Sequence, residues 1–307
     1  MRILVTGGAG FIGSNVVDAY VAAGHEVAVL DDMSGGKREN LNPKAAFHQL
    51  DVQSPEVEKV FADFRPEVMN HFAAQMDVRK SVADPLFDAR VNLVGLLNLL
   101  ESGRKHGLGR VLFASSGGTV YGEQETIPAD EDHPKHPVSP YGITKLASEN
   151  YLYFYRVQYG IAWVAFRYGN VYGPRQNPHG EAGVIAIFSE KFLRGQQPMI
   201  NGDGKNSRDY VFIGDLVRAN VAALSTDYSG PLNIGTGIET DVNRIFHLVR
   251  AACGSSAPEQ HGPAKPGEQR RSVIDPRRAA DVLGWRPEIT LEQGLARTVA
   301  FFRERMK

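Results

Sequence analysis

The sequence predicts an α/β protein, a doubly wound parallel sheet with a smaller C-terminal lobe, and three observations predict it. Short apolar runs alternate with helical patterns from Arg2 to Arg167, the order that gives parallel strands with helices on both faces. The first run ends in a glycine-rich turn that opens directly into a helix. Beyond Arg167 glycine and proline thicken and the elements shorten. A cofactor domain over 1–167 and a second lobe over 168–207 and 236–307 are therefore expected, with 208–235 returning to the first. A chain of 307 residues suffices for one large core or two modest ones.

In order, Arg2–Thr6 is the first strand, and the helical pattern after it carries Phe11, Ile12, Val16, Val17 and Tyr20. Between them Gly8, Gly10 and Gly13 fit G-x-G-x-x-G. That spacing permits a tight turn, a close backbone approach to a pyrophosphate, and close helix–strand packing with phosphate at the helix N-terminus. This Rossmann-type turn assigns Gly7, Gly10, Phe11, Ile12 and Gly13 to a dinucleotide. The second strand, His25–Leu30, ends in Asp31-Asp32. A carboxylate there accepts the ribose 2′-hydroxyl of NAD and repels the 2′-phosphate of NADP, so NAD is the expected cofactor.

The third strand, Ala45–Leu50, ends in Asp51-Val52, placed for the adenine. After a helix near 55–63, the strand Glu67–Phe72 runs into Ala73-Ala74-Gln75, small residues that let a flat cofactor approach the backbone. Residues 85–105, which include Asn92, are apolar all round for a helix with one wet face, so burial against the sheet and a second helix or subunit is expected. The strand Arg110–Ala114 delivers Ser115-Ser116-Gly117-Gly118-Thr119-Val120-Tyr121-Gly122. Asn92, Ser115 and Tyr168 complete the expected cofactor contacts.

Tyr141 and Lys145 open the next helix, four residues apart and so on one face. Free tyrosine ionises near pH ~10, too high for a base at neutral pH. A neighbouring ammonium and the helix N-terminus favour the phenolate, which would make Tyr141 a base. Later helices are expected at about 183–194, 215–225, 240–253, 276–283 and 290–305, and the runs Tyr210–Ile213 and Pro231–Ile234 as strands returning to the first sheet.

Composition narrows the function. The net charge is −1 and 42% of residues are apolar, with no run near the ~20 apolar residues of a membrane span. Neither nucleic acid nor membrane is an expected partner. Cys253 is the only cysteine, which fits a reducing compartment, and the N-terminus enters a strand without a signal-peptide pattern, so a cytoplasmic protein is expected. His133 and His136, in the DEDHPKH stretch, have no second ligand cluster and read as part of a solvated acidic loop rather than a metal site.

In order and spacing these stretches resemble the extended short-chain dehydrogenase/reductase superfamily over nearly the whole chain, and within it the UDP-glucose (UDP-galactose) 4-epimerases. The matching residues are Thr6 to Gly13, Ser115 to Gly122, Ser139 to Lys145 and Arg167 to Pro174. Arg208-Asp209-Tyr210, Lys265-Pro266-Gly267-Glu268 and Leu283-Gly284-Trp285 follow. The resemblance implies that Tyr141 takes the sugar 4-hydroxyl proton while hydride leaves C4 for NAD, and that Lys145 holds the nicotinamide ribose. The keto-sugar then turns and recovers hydride on its other face. Asn170 and Arg208 would bind the diphosphate, Lys265 the uridine end, and Glu268 and Ser272 would complete the substrate site.

Two residues depart from the family pattern. The usual catalytic Ser or Thr is Gly117, which leaves Ser116 or Thr119 as the hydroxyl partner of Tyr141. The usual arginine of R-P-G-E is Lys265, which keeps the charge without the bidentate fork. A 4,6-dehydratase needs an Asp-Glu pair where this chain has Gly118-Thr119. A UDP-glucuronate decarboxylase or epimerase stays open, and a non-catalytic NAD sensor would have no use for the Tyr-Lys pair. The position seven after the family arginine borders the hexose; Ser272 is small, so room for an N-acetyl group is expected unless Arg270 or Arg271 fills it. Helices near 85–105 and 141–159, the latter with Tyr151, Tyr153, Phe154 and Tyr155, are expected to form a homodimer interface.

Overall fold

The computed structural model describes residues 1–179, 183–264 and 269–306; Lys265 and Glu268 lie outside them. The first half runs β1 (Arg2–Thr6), α1 (Phe11–Ala22), β2 (Glu26–Leu30), β3 (Ala46–His48), α2 (Val57–Phe64), β4 (Val68–His71), α3 (Val78–Ala83), α4 (Pro85–Ala89), α5 (Gly95–Lys105), β5 (Arg110–Ser116), α6 (Pro140–Tyr159) and β6 (Ala162–Tyr168). It continues through β7 (Asn170–Tyr172), α7 (Val184–Leu193), β8 (Ile200–Asn201), β9 (Ser207–Phe212), α8 (Ile213–Ala222) and β10 (Gly230–Ile234). The last elements are β11 (Glu239–Asp241), α9 (Val242–Cys253), β12 (His261–Gly262), β13 (Arg271–Ser272), α10 (Arg277–Leu283) and α11 (Leu291–Glu304).

Seven strands form the main sheet in the order β3-β2-β1-β4-β5-β6-β10, every pair parallel. The chain winds outward from β1 in one direction and from β4 in the other, so the crevice at their carboxyl ends is where a ligand belongs. Alternate residues of each strand serve two cores. Ile3 and Val5 pack with Val16, Val17 and Tyr20 of α1 and Leu216 of α8. Leu4 packs with Phe61 of α2, Leu99 of α5 and Leu152 of α6. Strands buried on both faces read as continuous apolar runs, which is why the sequence marks them.

A second, four-stranded sheet joins β7, β9, β11 and β13. Gly230–Ile234 returns to the main sheet beside β6, but Tyr210–Ile213 does not: β9 carries Tyr210 to Phe212 into the small sheet, and Ile213 opens α8. The chain crosses between the sheets at Gly169, where a Cβ would lie 2.8 Å from the Asp209 carbonyl oxygen.

Two further expectations change. Residues 85–105 are not one helix; α4 and α5 are separated by a turn of π-helix, Arg90–Val94, which carries Asn92. Their outer face is exposed in the single chain, with Leu86 at 70% and Val94 at 53%. The DEDHPKH stretch is not simply solvated, because Glu131 and His133 are buried. His133 Nε2 accepts from Glu125 N at 2.9 Å, a structural role. The ends of α6 follow the sequence: Ser139 accepts from Gly142 N at 3.2 Å, Pro140 leads the first turn, and Gly160 closes the last at φ 76°.

Candidate active site

At the crevice, Gly7 sits at φ 68°, and a Cβ on it would lie 2.6 Å from Ala73 N, so the β1 turn presses against the small residues ending β4. A Cβ on Gly13 would collide with the Gly7 carbonyl oxygen, which fixes how closely α1 packs on that turn. The first N–H groups of α1, from Phe11, Ile12 and Gly13, have no partner within the helix. Asp31 closes the far side: its carboxylate accepts from Ala9 N and Met33 N, both at 2.9 Å. Burial pushes the Asp31 carboxyl up from its usual range, and the two backbone bonds oppose that shift. Asp32 is exposed and accepts from the Ser34 N–H and hydroxyl. Asp51 is exposed and accepts from Gln53 N at 2.8 Å, while Val52 is buried. A glycine cradle, unpaired helix N–H groups and a carboxylate acceptor fit a dinucleotide.

Tyr141 and Lys145 stand on one face of α6, as expected. Lys145 Nζ donates to Ala114 O at 2.8 Å and lies 4.7 Å from the Phe113 ring centroid and 5.6 Å from that of Tyr141. The expected depression of Tyr141 is reversed in the chain alone. Burial pushes the phenol up, and the Asp88 carboxylate adds to the effect. Burial pushes Lys145 down to about 8, against the opposing pull of Asp88 and Glu149. Burial thus disfavours the charged form of both groups.

Asp88 is fully buried and accepts from Thr144 Oγ1 at 2.8 Å and from Gln75 Nε2 and Asn92 Nδ2 at 3.1 Å. Three residues that the sequence assigns to the cofactor also make bonds within the chain beneath the site. Asn92 Oδ1 accepts from Gln75 N at 2.8 Å, and its Nδ2 donates to Gln75 O at 2.9 Å as well as to Asp88, so it shapes the loop after β4. The Ser115 hydroxyl donates inward to Glu149 at 2.6 Å. The Tyr168 hydroxyl accepts from Asn220 at 3.0 Å, and its ring stacks on Phe166 in the core. All three position the site from behind.

The hydroxyls expected to replace the one missing at Gly117 differ in setting. Gly117 N donates to Tyr168 O at 2.9 Å, and a Cβ there would lie 3.0 Å from two Ile274 carbons, so Ile274 occupies the space of the usual side chain. Thr119 Oγ1 is buried without a partner. Its carbonyl oxygen lies 2.8 Å from where a Gly142 Cβ would be, directly behind α6. Ser116 is only part-buried, and a Cβ on Gly118 would lie 3.9 Å from both the Ser116 and Ser272 hydroxyls. The end of β5 and strand β13 of the small sheet therefore meet at Gly118, which brings the Ser116 and Ser272 hydroxyls to the same place.

The small sheet assembles the expected substrate residues. Arg208 is in register with Ser272 on β13 and Thr240 on β11, and Asn170 with Tyr210. Arg208 Nη1 donates to Ser207 O at 2.7 Å. Neither neighbouring arginine fills the space at Ser272. Arg270 forks onto Asp203 at 2.9 and 2.8 Å, and Arg271 onto Glu239 at 2.7 Å. Asp209, buried, accepts from the Thr236 N–H and hydroxyl and from Gly237 N at 2.6 to 3.0 Å, clamping the loop after β10 to the sheet. Sequence reasoning missed Asp88 and Glu149, and it placed Asp209 and Arg167 in matching stretches without a role; the signal available was a charge set inside an apolar pattern, as in Ala162–Tyr168.

No helix among the described residues is long and apolar enough to cross a membrane, and none of their His, Cys, Asp and Glu side chains form a metal-binding group. Residues 3–235 match the model of the NAD dependent epimerase/dehydratase family. The chain is 46% identical over 311 residues to the UDP-glucose 4-epimerase of Mycolicibacterium smegmatis, covering 99% of each. It is similar to a crystal structure of UDP-glucose 4-epimerase with UDP-glucose from Thermotoga maritima, at 46% identity and TM-score 0.98 over 100% of both chains. It is also similar to the Thermus thermophilus UDP-glucose 4-epimerase in complex with NAD, at 46% identity and TM-score 0.94 over 99% of both. The glycine turn, Asp31 and the Tyr141–Lys145 face lie within or immediately beside one crevice of a chain matched end to end, and by that match it belongs to the NAD dependent epimerase/dehydratase family.

Proposed function

We propose that this protein interconverts UDP-glucose and UDP-galactose by NAD-dependent epimerisation at C4, and that it also accepts UDP-N-acetylhexosamine. The observation that carries the reading is the meeting at Gly118 of the Ser116 strand end with Ser272 of the small sheet, beside the Tyr141–Lys145 face of α6. NAD, held by the glycine turn and Asp31, supplies the hydride acceptor and a further positive charge. Tyr141 takes the proton of the 4-hydroxyl and later returns it. Burial raises its pKa in the chain alone, and a positive charge beside it on Lys145 or on bound NAD would favour the phenolate. Ser116 orients the hydroxyl; Asn170 and Arg208 hold the diphosphate, whose charge the nearly neutral protein must offset locally. The packing of α8 on α1 and the pairing of β10 with β6 support residues 1–167 with α8 and β10 as the cofactor lobe, and the small sheet with the remaining helices as the sugar-nucleotide lobe.

A coupled assay with UDP-glucose, UDP-N-acetylglucosamine and UDP-glucuronate tests this. Turnover of the first two is expected, and Ser272→Tyr should remove only the acetylated activity by filling space beside Gly118. Turnover of UDP-glucuronate alone would replace the reading with the decarboxylase or uronate-epimerase one. That alternative has less support, because Arg270 and Arg271 already pair with carboxylates.

The face of α4, α5 and α6 that exposes Leu86, Val94, Tyr153, Phe154 and Val157 supports a homodimer. Tyr155 takes no part, being buried and bonded to Glu101 at 2.6 Å. Light scattering at micromolar concentration is expected to give twice the chain mass; a monomer would rule the dimer out. The lone Cys253 supports a reducing, cytoplasmic setting.

A further inference from the structure

A chain of buried polar groups runs beneath the site, and the reaction as read above makes no use of it. α6 presents Tyr141, Lys145 and Glu149 at successive turns of one face. Glu149 is 4% exposed and Arg167, on β6, 1%. The two form a fork, with Arg167 Nε donating to Glu149 Oε1 at 3.0 Å and Nη2 to Oε2 at 2.6 Å. Arg167 Nη1 donates onward to the Tyr121 hydroxyl and the Glu131 carbonyl, both at 3.0 Å, and Tyr121 donates to Asn233 on β10 at 2.6 Å. The remaining bond points toward the chemistry: Ser115 Oγ donates to Glu149 Oε1 at 2.6 Å. One turn earlier, Lys145 donates to Ala114 O at 2.8 Å. Successive turns of α6 therefore grip successive residues of β5 immediately before Ser116.

A buried ion pair is a poor stabiliser compared with well-packed apolar residues of the same volume, so stability alone does not account for this one. We propose that Glu149, fixed by Arg167, is a positioning residue for the reaction: it locks the end of β5 that carries Ser116 against the Tyr141 face of α6. The inference rests on the reading of Tyr141 and Lys145 as the working pair.

The groups facing Lys145 are Tyr141 and Glu149 from α6, Asp88 from α4 and His71 from β4; Arg167 lies behind Glu149. Burial lowers the proton affinity of Lys145, and Asp88 and Glu149 raise it. His71, pushed down to about 3 by burial and Lys145, carries no charge near neutral pH. Removing the Glu149 charge while leaving Arg167 unpaired lowers that affinity further. Lys145 then loses its proton, and Tyr141 its positive neighbour, at lower pH than in the native protein.

The test measures kcat and KM for UDP-galactose against pH in Glu149→Gln. A loss in kcat on the order of tenfold is expected, with KM within about threefold and the alkaline limb about one pH unit lower. Lysine labelled with ¹³C at Cε, with Lys145→Arg to assign the signal, should show the same downward movement without turnover. An unmoved pH profile with an unmoved Lys145 titration would overturn the proposal. Should Glu149→Gln fail to fold, Ser115→Ala keeps the ion pair: a several-fold kcat loss at constant KM supports the lock, and full activity overturns it. Tyr141→Phe run alongside separates the two levels. Full turnover in that variant sinks the reading beneath, whereas an inactive Tyr141→Phe with a silent Glu149→Gln sinks only this inference.

Discussion

The two sheets that meet at Gly118 share one apolar core and differ in how much polar clamping adds to it. The main sheet is fixed by apolar residues on both faces, Ile3, Val5, Leu112 and Val164 toward one helical layer, Leu4, Met69 and Phe113 toward the other. The small sheet has strands of two to six residues that bury Tyr172, Tyr210 and Phe212 in that core, and to this it adds polar clamps: Asp209 on the loop after β10, Glu239 on Arg271, Asp203 on Arg270. Hydrophobic packing is cooperative and non-directional, so it gives a rigid floor for a cofactor. Hydrogen-bonded clamps are directional and individually removable, so they set the shape of a substrate pocket without remaking the floor. The difference implies that cofactor binding and sugar binding fail separately.

The largest expected effect leaves both sheets intact. Tyr141→Phe should cost roughly 10²–10⁴ in turnover while NAD still binds, because only the proton-transfer group is removed. Near-normal turnover would take Tyr141 out of the chemistry. Next, Asp209→Ala breaks the small sheet's central clamp and should destabilise the protein by about 3 kcal/mol, since backbone donors of Thr236 and Gly237 lose a charged acceptor. Sugar-nucleotide affinity should fall while NAD affinity, read by fluorescence or calorimetry, is retained. An equal loss of both would mean that the sheets are one unit, and the comparison would break.

The contrast also accounts for what could be read in the sequence. β1, β2, β4 and β5 were legible because two-sided burial writes an unbroken apolar run, and α6 because Tyr141 and Lys145 open a helical pattern. The run at Tyr210 misled for the same reason: β9 is apolar because it lies under α8 and α11, and an apolar run does not say which sheet it joins. The two-residue strands β8, β12 and β13 carry no period at all. Tyr141, Lys145 and the glycine turn were legible because their spacing is local. Asp88, Glu149 and Arg167 were not, because partners as distant as Thr144 from Asp88 and Arg167 from Glu149, together with burial rather than a local spacing, define their role.

The smallest effect sharpens the boundary where the sheets meet. Ser116→Ala should lower kcat on the order of tenfold, and Thr119→Ala by less, because Ser116 opens toward Ser272 while the Thr119 hydroxyl is enclosed behind α6. Full activity in both variants would mean that no hydroxyl assists Tyr141.

The most direct test of the central claim follows a hydrogen. UDP-galactose carrying deuterium at C4 is incubated with the purified protein, and the UDP-glucose formed is examined by mass spectrometry and proton NMR. Oxidation and reduction at the same carbon in a closed crevice should return the label to C4, giving UDP-glucose that keeps its deuterium while NAD is neither consumed nor reduced at the end. UDP-glucose that has exchanged its label with water, or no UDP-glucose at all, would contradict C4 epimerisation by this site.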